Sequence, residues 1–98
     1  MAKFISLVNW TDQGVRNFKG AVDRAKAAGE LAEKMGGKLT DTFWTLGPYD
    51  VVAIADFPDD ESGEAFLLAL GSQGNVRTTT LRAFDAEEFS RIVSKAGG

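Results

Sequence analysis

The stretch VVAIADF, residues 51–57, decides the fold of this chain. Alternate residues of a strand point to opposite faces of a sheet, and here both sets are apolar. Val52 and Ile54 face one way, whereas Val51, Phe57 and the two alanines between them face the other. A strand that is apolar on both faces is typical of the centre of a sheet, so we predict a buried central strand over residues 51–57.

A second segment, at about residues 3–9, has the same property. Ile5 and Leu7 lie on one face of the predicted strand, and Phe4 and Val8 lie on the other. We therefore predict that this segment is also a central strand.

Two further segments, at about residues 38–46 and 75–83, are rich in threonine and carry charged residues such as Asp41 and Arg77. Polar residues are tolerated at solvated positions, so this dilution predicts edge strands. Residues 47–50 have the composition of a turn, which predicts a hairpin between the strand at 38–46 and the strand at 51–57.

Three helices are predicted between and after these strands. Thr11 is a good N-cap for a first helix that extends to about Met35, with Gly29 as a candidate kink and the pair Gly36-Gly37 as its end. The acidic residues 59–61 begin a second helix, and Asp85 caps a short third one. The apolar stripe of the first helix consists of Val15, Phe18, Val22 and Ala25.

This order of elements predicts an α+β fold, a ferredoxin-like βαββαβ domain with an extra C-terminal helix. Its four-stranded antiparallel sheet has the strand order 4-1-3-2, which places the two doubly apolar strands at the centre. We expect these two central strands to run parallel to each other. The length suits one domain, which we place over residues 1–98.

Two helices cover only one face of such a sheet, so the central strands would expose apolar side chains on the other face. A patch of that size is rare on a soluble monomer. We predict that a second copy covers it, giving a closed homodimer with sheets packed face to face, whose exposed edges leave room for a higher oligomer. The alternative is a monomer whose last helix folds over the open face.

The composition limits the chemistry of any site. The chain has no cysteine and no histidine, so thiolate, disulfide and imidazole chemistry are excluded. Catalysis would have to use carboxylates, tyrosine, lysine, arginine or bound water. We therefore expect no metal and no cofactor, and an enzyme of this composition would be independent of both.

The charge and hydropathy of the chain indicate its surroundings. The net charge is −3 and there is no cluster of lysine and arginine, which weighs against nucleic acids and anionic membranes as partners. No apolar run approaches the roughly 20 residues that span a bilayer, and the first residues do not resemble a signal peptide. We expect a cytoplasmic protein.

Four short segments together resemble the GYD family, which is named for a Gly-x-Tyr-Asp turn. They are residues 9–14 (NWTDQG), 36–39 (GGKL), 46–50 (LGPYD) and 74–78 (GNVRT), and the resemblance extends from residue 4 to about residue 84. It implies a protomer of the dimeric α/β-barrel superfamily. The GYD family has no settled activity, and relatives in the wider superfamily include cofactor-free monooxygenases and haem-binding enzymes. Without histidine, this chain lacks the proximal imidazole of the haem-binding members.

Tyr49 and Asp50 are the candidate catalytic residues, because they sit at the hairpin that enters a central strand. Asp50 could act as a general base and Tyr49 as a hydrogen-bond donor if burial raised the pKa of the carboxyl. The alternative is structural: Asp50 accepts backbone N–H groups in the turn and Tyr49 packs over an edge.

The candidate ligand-binding residues are Trp10, Trp44, Tyr49, Asp50, Thr80 and Arg82, and Phe43 could add to an apolar wall. Arg82 beside a threonine hydroxyl would suit a carboxylate or enolate ligand, whereas the alternative is an intersubunit ion pair with Asp56 or Asp41. Trp10 and Trp44 either line a pocket or pack in the core. Arg16 and Lys19 are expected to be surface charges.

Two functions remain open at this point. The first is the binding of a small anionic or aromatic molecule inside the barrel, with or without catalysis. The second is a non-catalytic structural or regulatory assembly module. RNA binding on an open sheet does not fit, because the chain is acidic and lacks the aromatic strand motif of RNA-recognition folds.

Overall fold

The computed structural model describes residues 1–97, over which four strands and four α-helices form. No helix in this range is long and apolar enough to cross a membrane. A short 3₁₀ turn, Phe18–Gly20, separates the first two helices. In chain order the elements are β1 (Ala2–Trp10), α1 (Asp12–Arg16), α2 (Ala21–Lys34), β2 (Lys38–Trp44), β3 (Val51–Phe57), α3 (Asp60–Ser72), β4 (Val76–Ala83) and α4 (Ala86–Lys95).

The four strands form one antiparallel sheet in the order β2-β3-β1-β4, so the predicted α+β class and four-stranded antiparallel sheet are confirmed. β1 and β3 are central, but the expectation that they run parallel was wrong. They pair antiparallel, with Ile5 opposite Ile54. The reason is the hairpin: α2 returns the chain so that β2 runs parallel to β1, and the turn after β2 then reverses β3.

The first predicted helix is broken, and the break lies at residues 17–20 rather than at the predicted Gly29. Asn17 has φ −105° and ψ 38°, outside the helical region, and α2 continues through Gly29 without interruption. Asparagine and glycine are weak helix formers, and the helix is interrupted at residues 17–20, whereas it continues through Gly29 in the interior of α2. Val15, Phe18 and Val22 are exposed, so the expectation that they form the buried stripe was wrong, whereas Ala25 of the same predicted stripe faces the sheet.

Two glycines end α2, as predicted. Gly36 has φ +82°, the left-handed conformation that glycine adopts without strain. Its N–H donates to the Glu33 carbonyl at 3.0 Å, and the Gly37 N–H donates to the Ala32 carbonyl at 2.9 Å. These two bonds form a Schellman motif, which satisfies the last carbonyls of the helix and directs the chain into β2.

The core lies between one face of the sheet and helices α2 and α3. Phe57 of β3 is almost fully buried, and its ring packs 5.2 Å from that of Phe66 on α3 and 6.0 Å, edge to face, from that of Phe4. Ala32 and Ala55 complete the buried cluster. Aromatic pairs at these distances add to the free energy of burial.

The other face of the sheet is open. The cross-strand register places Ile5, Leu7, Val52 and Ile54 on this face, together with Phe43 and Leu81 of the edge strands. Phe43 is 57% exposed and Leu81 49% exposed. The helix α4 does not pack across the sheet, so the apolar open face is uncovered within residues 1–97.

Candidate functional site

A cavity of about 90 Å³ lies between the helix-covered face of the sheet and helices α2 and α3. Its floor is formed by β1, β3 and β2, through residues such as Val8, Ala53 and Thr42. Small side chains of α2 leave the space open, because Ala21, Ala25 and Ala28 face the sheet where larger residues would fill it. The walls are mostly apolar, as is usual for sites that bind small organic molecules.

One end of the cavity is closed by the junction between β1 and α1, which is tied to the β2–β3 hairpin. The Asn9 side-chain amide donates to the Pro48 carbonyl at 2.9 Å. The Trp10 backbone N–H donates to Oδ2 of Asp50, also at 2.9 Å, and the Asp50 N–H donates to the Val8 carbonyl at 2.8 Å. The hairpin therefore continues the hydrogen bonding of β1 beyond the last pair of the ladder.

The same junction is tied to the loop between α3 and β4. Thr11 donates through Oγ1 to the Gly74 carbonyl at 2.6 Å and through its backbone N–H to the Asn75 carbonyl at 3.1 Å. The Gln13 amide donates to Oδ1 of Asn75 at 2.9 Å. Three of the four segments that resemble the GYD family, residues 9–14, 46–50 and 74–78, thus meet at this end of β1.

The two candidate catalytic residues do not line the cavity. The Asp50 carboxylate accepts the N–H of Trp10, and the Tyr49 carbonyl accepts the hydroxyl of Thr45 at 2.6 Å. Both residues are half-buried within the hairpin. Their roles in chemistry remain predictions. The Asp50 bond fixes the hairpin against β1, whereas the Tyr49 carbonyl bond lies within the hairpin.

Arg82 and Thr80 lie on the helix-covered face but do not line the cavity. The Arg82 guanidinium lies 4.6 Å from the Phe84 ring centroid and 5.7 Å from that of Phe4, and its Nε donates to Oδ1 of Asp60 at 3.0 Å. This ion pair is formed within one chain. Thr80 Oγ1 lies 2.9 Å from Oγ of Ser6, at hydrogen-bond distance.

Trp10 and Trp44 do line the cavity, on strands that flank β3. Trp44 is 45% exposed, so its indole bounds the cavity rather than filling the core. Phe43, the preceding residue of β2, points to the open face instead. The structure therefore brings the two tryptophans of the predicted set to the cavity. Tyr49, Asp50, Thr80 and Arg82 do not line it, although the Asp50 carboxylate accepts the Trp10 N–H.

Arg24, on α2, also lines the cavity and was not among the residues predicted from the sequence. Its guanidinium donates through Nη1 to the Asn17 carbonyl at 2.7 Å and through Nη2 to the Gly14 carbonyl at 3.0 Å. The sequence contains a pattern that could have identified Arg24. Its spacing from Ala21, Ala25 and Ala28 places an arginine beside a stripe of small residues on one helix face.

The electrostatics of the cavity are simple, because Arg24 is the one charged residue among its walls within the described part of the chain. Over residues 1–97 no group of three or more acidic side chains is placed to hold a metal ion. The carboxyl whose pKa is clearly displaced, Asp59, caps α3; its bonds from the backbone and side chain of Ser62 hold that pKa below its ordinary value. The cavity can thus enclose an apolar body and contact an anionic group, but its described walls offer no acid–base pair.

Comparison with known proteins gives three findings. The family model of the GYD domain matches residues 4–93. A Thermus thermophilus protein named "Glutamine synthetase and cystathionine beta-lyase binding protein" is 33% identical over 90 residues, which cover 91% of this chain and 95% of that protein. The crystal structure of TTHA0845 from Thermus thermophilus is similar, with a TM-score of 0.56 and 26% identity, covering 88% of this chain and 96% of that one.

Proposed function

The chain belongs to the GYD domain family, and we propose that it is a homodimeric binding protein that holds a small molecule in the cavity between its sheet and helices. The observation that supports binding is the composition of the walls, which combine two indoles, a row of alanines and one arginine. Binding is favoured over catalysis because Asp50 and Tyr49, the candidate acid–base groups, do not line the cavity.

A thermal-shift screen of small aromatic and keto acids tests this proposal. A compound that binds the folded chain raises its stability by about 2.7 kcal/mol at a hundredfold excess over Kd. The variant Ala25→Leu, which fills the cavity, should lose this stabilisation. Ala27→Leu, on the exposed side of the same helix, is the matched control and should keep it. No stabilisation of the wild type by any compound would contradict the proposal.

The dimeric part of the proposal rests on the open face of the sheet. Ile5, Leu7, Val52 and Ile54 form a continuous apolar surface, which is the kind of patch that soluble proteins cover. Two copies related by a twofold axis would bury both faces at once, as ferredoxin-like protomers do in a dimeric α/β barrel.

Sedimentation velocity decides whether this dimer forms. We expect the wild type to sediment at twice the protomer mass of 10.5 kDa and Ile54→Lys to sediment at the protomer mass. Leu68→Lys is the matched control, since Leu68 is exposed on α3 at the opposite side of the sheet. A wild type of protomer mass at tens of micromolar would overturn the dimer.

A second candidate function, the non-catalytic assembly module, is favoured by the name of the relative, which describes a binding protein for two enzymes. In this chain α4 presents an unpartnered apolar stripe within the described residues, with Phe89 56% exposed and Val93 46% exposed. An amphipathic helix of this kind suits a hydrophobic groove on another protein.

Co-purification with glutamine synthetase or cystathionine beta-lyase tests the second candidate. We expect the wild type to retain one of these enzymes, and Phe89→Ser combined with Val93→Ser to lose it. The matched control replaces Ser90 and Ser94, on the polar face of α4, with asparagine. Equal retention of the enzyme by both variants would show that α4 does not take part in the interaction.

A further inference from the structure

We propose that the ligand of the cavity is a small aromatic carboxylate, with its ring against Trp10 and Trp44 and its carboxylate on the guanidinium of Arg24. This inference rests on the proposed small-molecule binding and names the class of molecule bound. It replaces Arg82, the anion partner suggested by the sequence, with an arginine that faces the cavity.

The charge of the cavity supports an anionic ligand. The chain carries 14 acidic residues and a net charge of −3, yet no aspartate or glutamate lines the cavity among the residues that the structure describes. Arg24 therefore has no carboxylate beside it to neutralise its charge in the site. An ammonium ligand would meet an unbalanced positive charge there, whereas a carboxylate would meet a complementary one.

The hydrogen bonding of Arg24 leaves it able to bind an anion. A guanidinium has five N–H donors in a fixed plane, and two of them are directed at the carbonyls of Asn17 and Gly14. Those two bonds hold the group in place and leave the other donors for a ligand. A carboxylate accepts such donors through charge-assisted bonds, which are shorter and stronger than neutral ones.

The walls of the cavity support an aromatic ligand, and its size limits that ligand to a single ring. Indole faces attract aromatic rings in offset or edge-to-face arrangements, and Trp10 and Trp44 supply two of them. The volume of about 90 Å³ is below the roughly 150 Å³ of a closed engineered cavity that holds benzene, so a ring would enter only partly and a fused ring system would not fit.

Fluorescence titration tests the proposal directly, because Trp10 and Trp44 are the only tryptophans in the chain and both line the cavity. The probes are benzoate and phenylacetate, their neutral amides, and the cation benzylamine. We expect the acids to change the emission with a Kd at least tenfold lower than that of the amides, and benzylamine to cause no saturable change. Trp10→Phe and Trp44→Phe should each remove part of the signal.

Arg24→Gln should raise the Kd of the acids at least tenfold and leave the Kd of the amides unchanged. Arg16→Gln, on the surface of α1, should change neither Kd. If acids and amides bind equally well, the role of Arg24 is wrong but small-molecule binding stands. If neither binds, an aromatic carboxylate is not the ligand, and the thermal-shift screen decides whether the cavity binds any small molecule. Because the acid–amide comparison uses the wild-type chain, a variant that does not fold leaves the test intact.

Discussion

Gly14 determines how closely the β1–α1 junction approaches the loop before β4. It is buried, and a Cβ atom at this position would overlap the backbone carbonyl of Asn75. That carbonyl also accepts the N–H of Thr11, so the loop cannot move away without breaking a hydrogen bond. At this residue, the absence of a side chain permits the segments at residues 9–14 and 74–78 to meet.

Gly14→Ala should therefore lower the free energy of unfolding by about 2 kcal/mol, within the range for overpacked sites. Urea denaturation measures the change. Gly71→Ala is the matched control, because a Cβ there meets open space and alanine favours the helix by up to about 1 kcal/mol. A Gly14→Ala variant as stable as the wild type would show that the junction is not tightly packed.

Asp59 predicts a dependence of stability on pH. Its pKa is lower in the folded chain than the value of about 3.9 in an unfolded one. The carboxylate thus stabilises the fold above that unfolded value, and this contribution is lost as the pH falls through the folded pKa.

We expect Asp59→Asn to be less stable than the wild type at pH 7 and to approach it below about pH 4, as both caps become neutral. Thermal unfolding monitored by circular dichroism between about pH 2.5 and pH 7, which spans the carboxyl titration, gives the comparison. A constant difference across that range would contradict the role of the charge.

At the scale of the elements, the side chains of Asp50 and Asn9 attach the hairpin between β2 and β3 to β1. The Asp50 carboxylate supplies the acceptor for the Trp10 N–H at the point where the β1 ladder ends. Trp10 is also a wall of the cavity, so this bond positions an element of the candidate site.

Asp50→Ala should cost about 1 to 3 kcal/mol of stability, because it leaves the half-buried Trp10 N–H without an acceptor. Asp50→Asn should cost less, since the amide oxygen still accepts. Asp41→Ala, an exposed carboxylate on β2, is the control and should be nearly neutral. Chemical denaturation of the three variants, with tryptophan emission as the probe, distinguishes attachment of the hairpin from a purely catalytic role.

The elements differ in how far the sequence predicts them. The bounds of β3 agree with the prediction because its apolar run is stopped by Pro58 and needs no distant partner to be recognised. The break between α1 and α2 was not predicted, because Asn17, Gly20 and Gly29 are all weak helix formers and the contacts of the folded chain decide which of them interrupts the helix. Arg24 binds the carbonyls of Asn17 and Gly14, and Asn75 restricts the space at Gly14.

The same distinction applies to the candidate site. Trp10 and Trp44 were predicted from size and chemistry alone, and both reach the cavity. Arg24 was missed because only the structure shows which side of α2 faces the sheet. Of the predicted stripe, Val15, Phe18 and Val22 are exposed, and Ala25 lines the cavity beside Arg24.

At the scale of the whole molecule, the chain is elongated. Its extents are 50 × 30 × 18 Å, and its radius of gyration of 14.7 Å exceeds the roughly 13 Å of a compact chain of this length. α4 contributes to this shape because it does not pack against the sheet. A capping box formed by Asp85 and Glu88 begins the helix, but its apolar stripe has no partner within the described residues.

Isolated helices shorter than about 12 residues are marginal in water, so the amides of α4 should exchange rapidly in a dilute protomer. If a second copy covers the stripe, their protection should rise between about 1 µM and about 500 µM, because association depends on concentration. Hydrogen exchange followed by mass spectrometry measures this, with β1 as the protected reference. Protection of α4 equal to that of β1 at the lowest concentration would mean that its own chain holds it.

The central position of β1 has a consequence for synthesis of the chain. Ser6 of β1 pairs across the sheet with Thr80, 74 positions later, and Lys3 pairs with Asp56, 53 positions later. At translation rates of about 5 to 20 residues per second, roughly 4 to 15 s pass between emergence of β1 and of its last neighbour. During that interval a strand that is apolar on both sides has no complete sheet to join, so newly made chains are most exposed to misassociation before β4 leaves the ribosome.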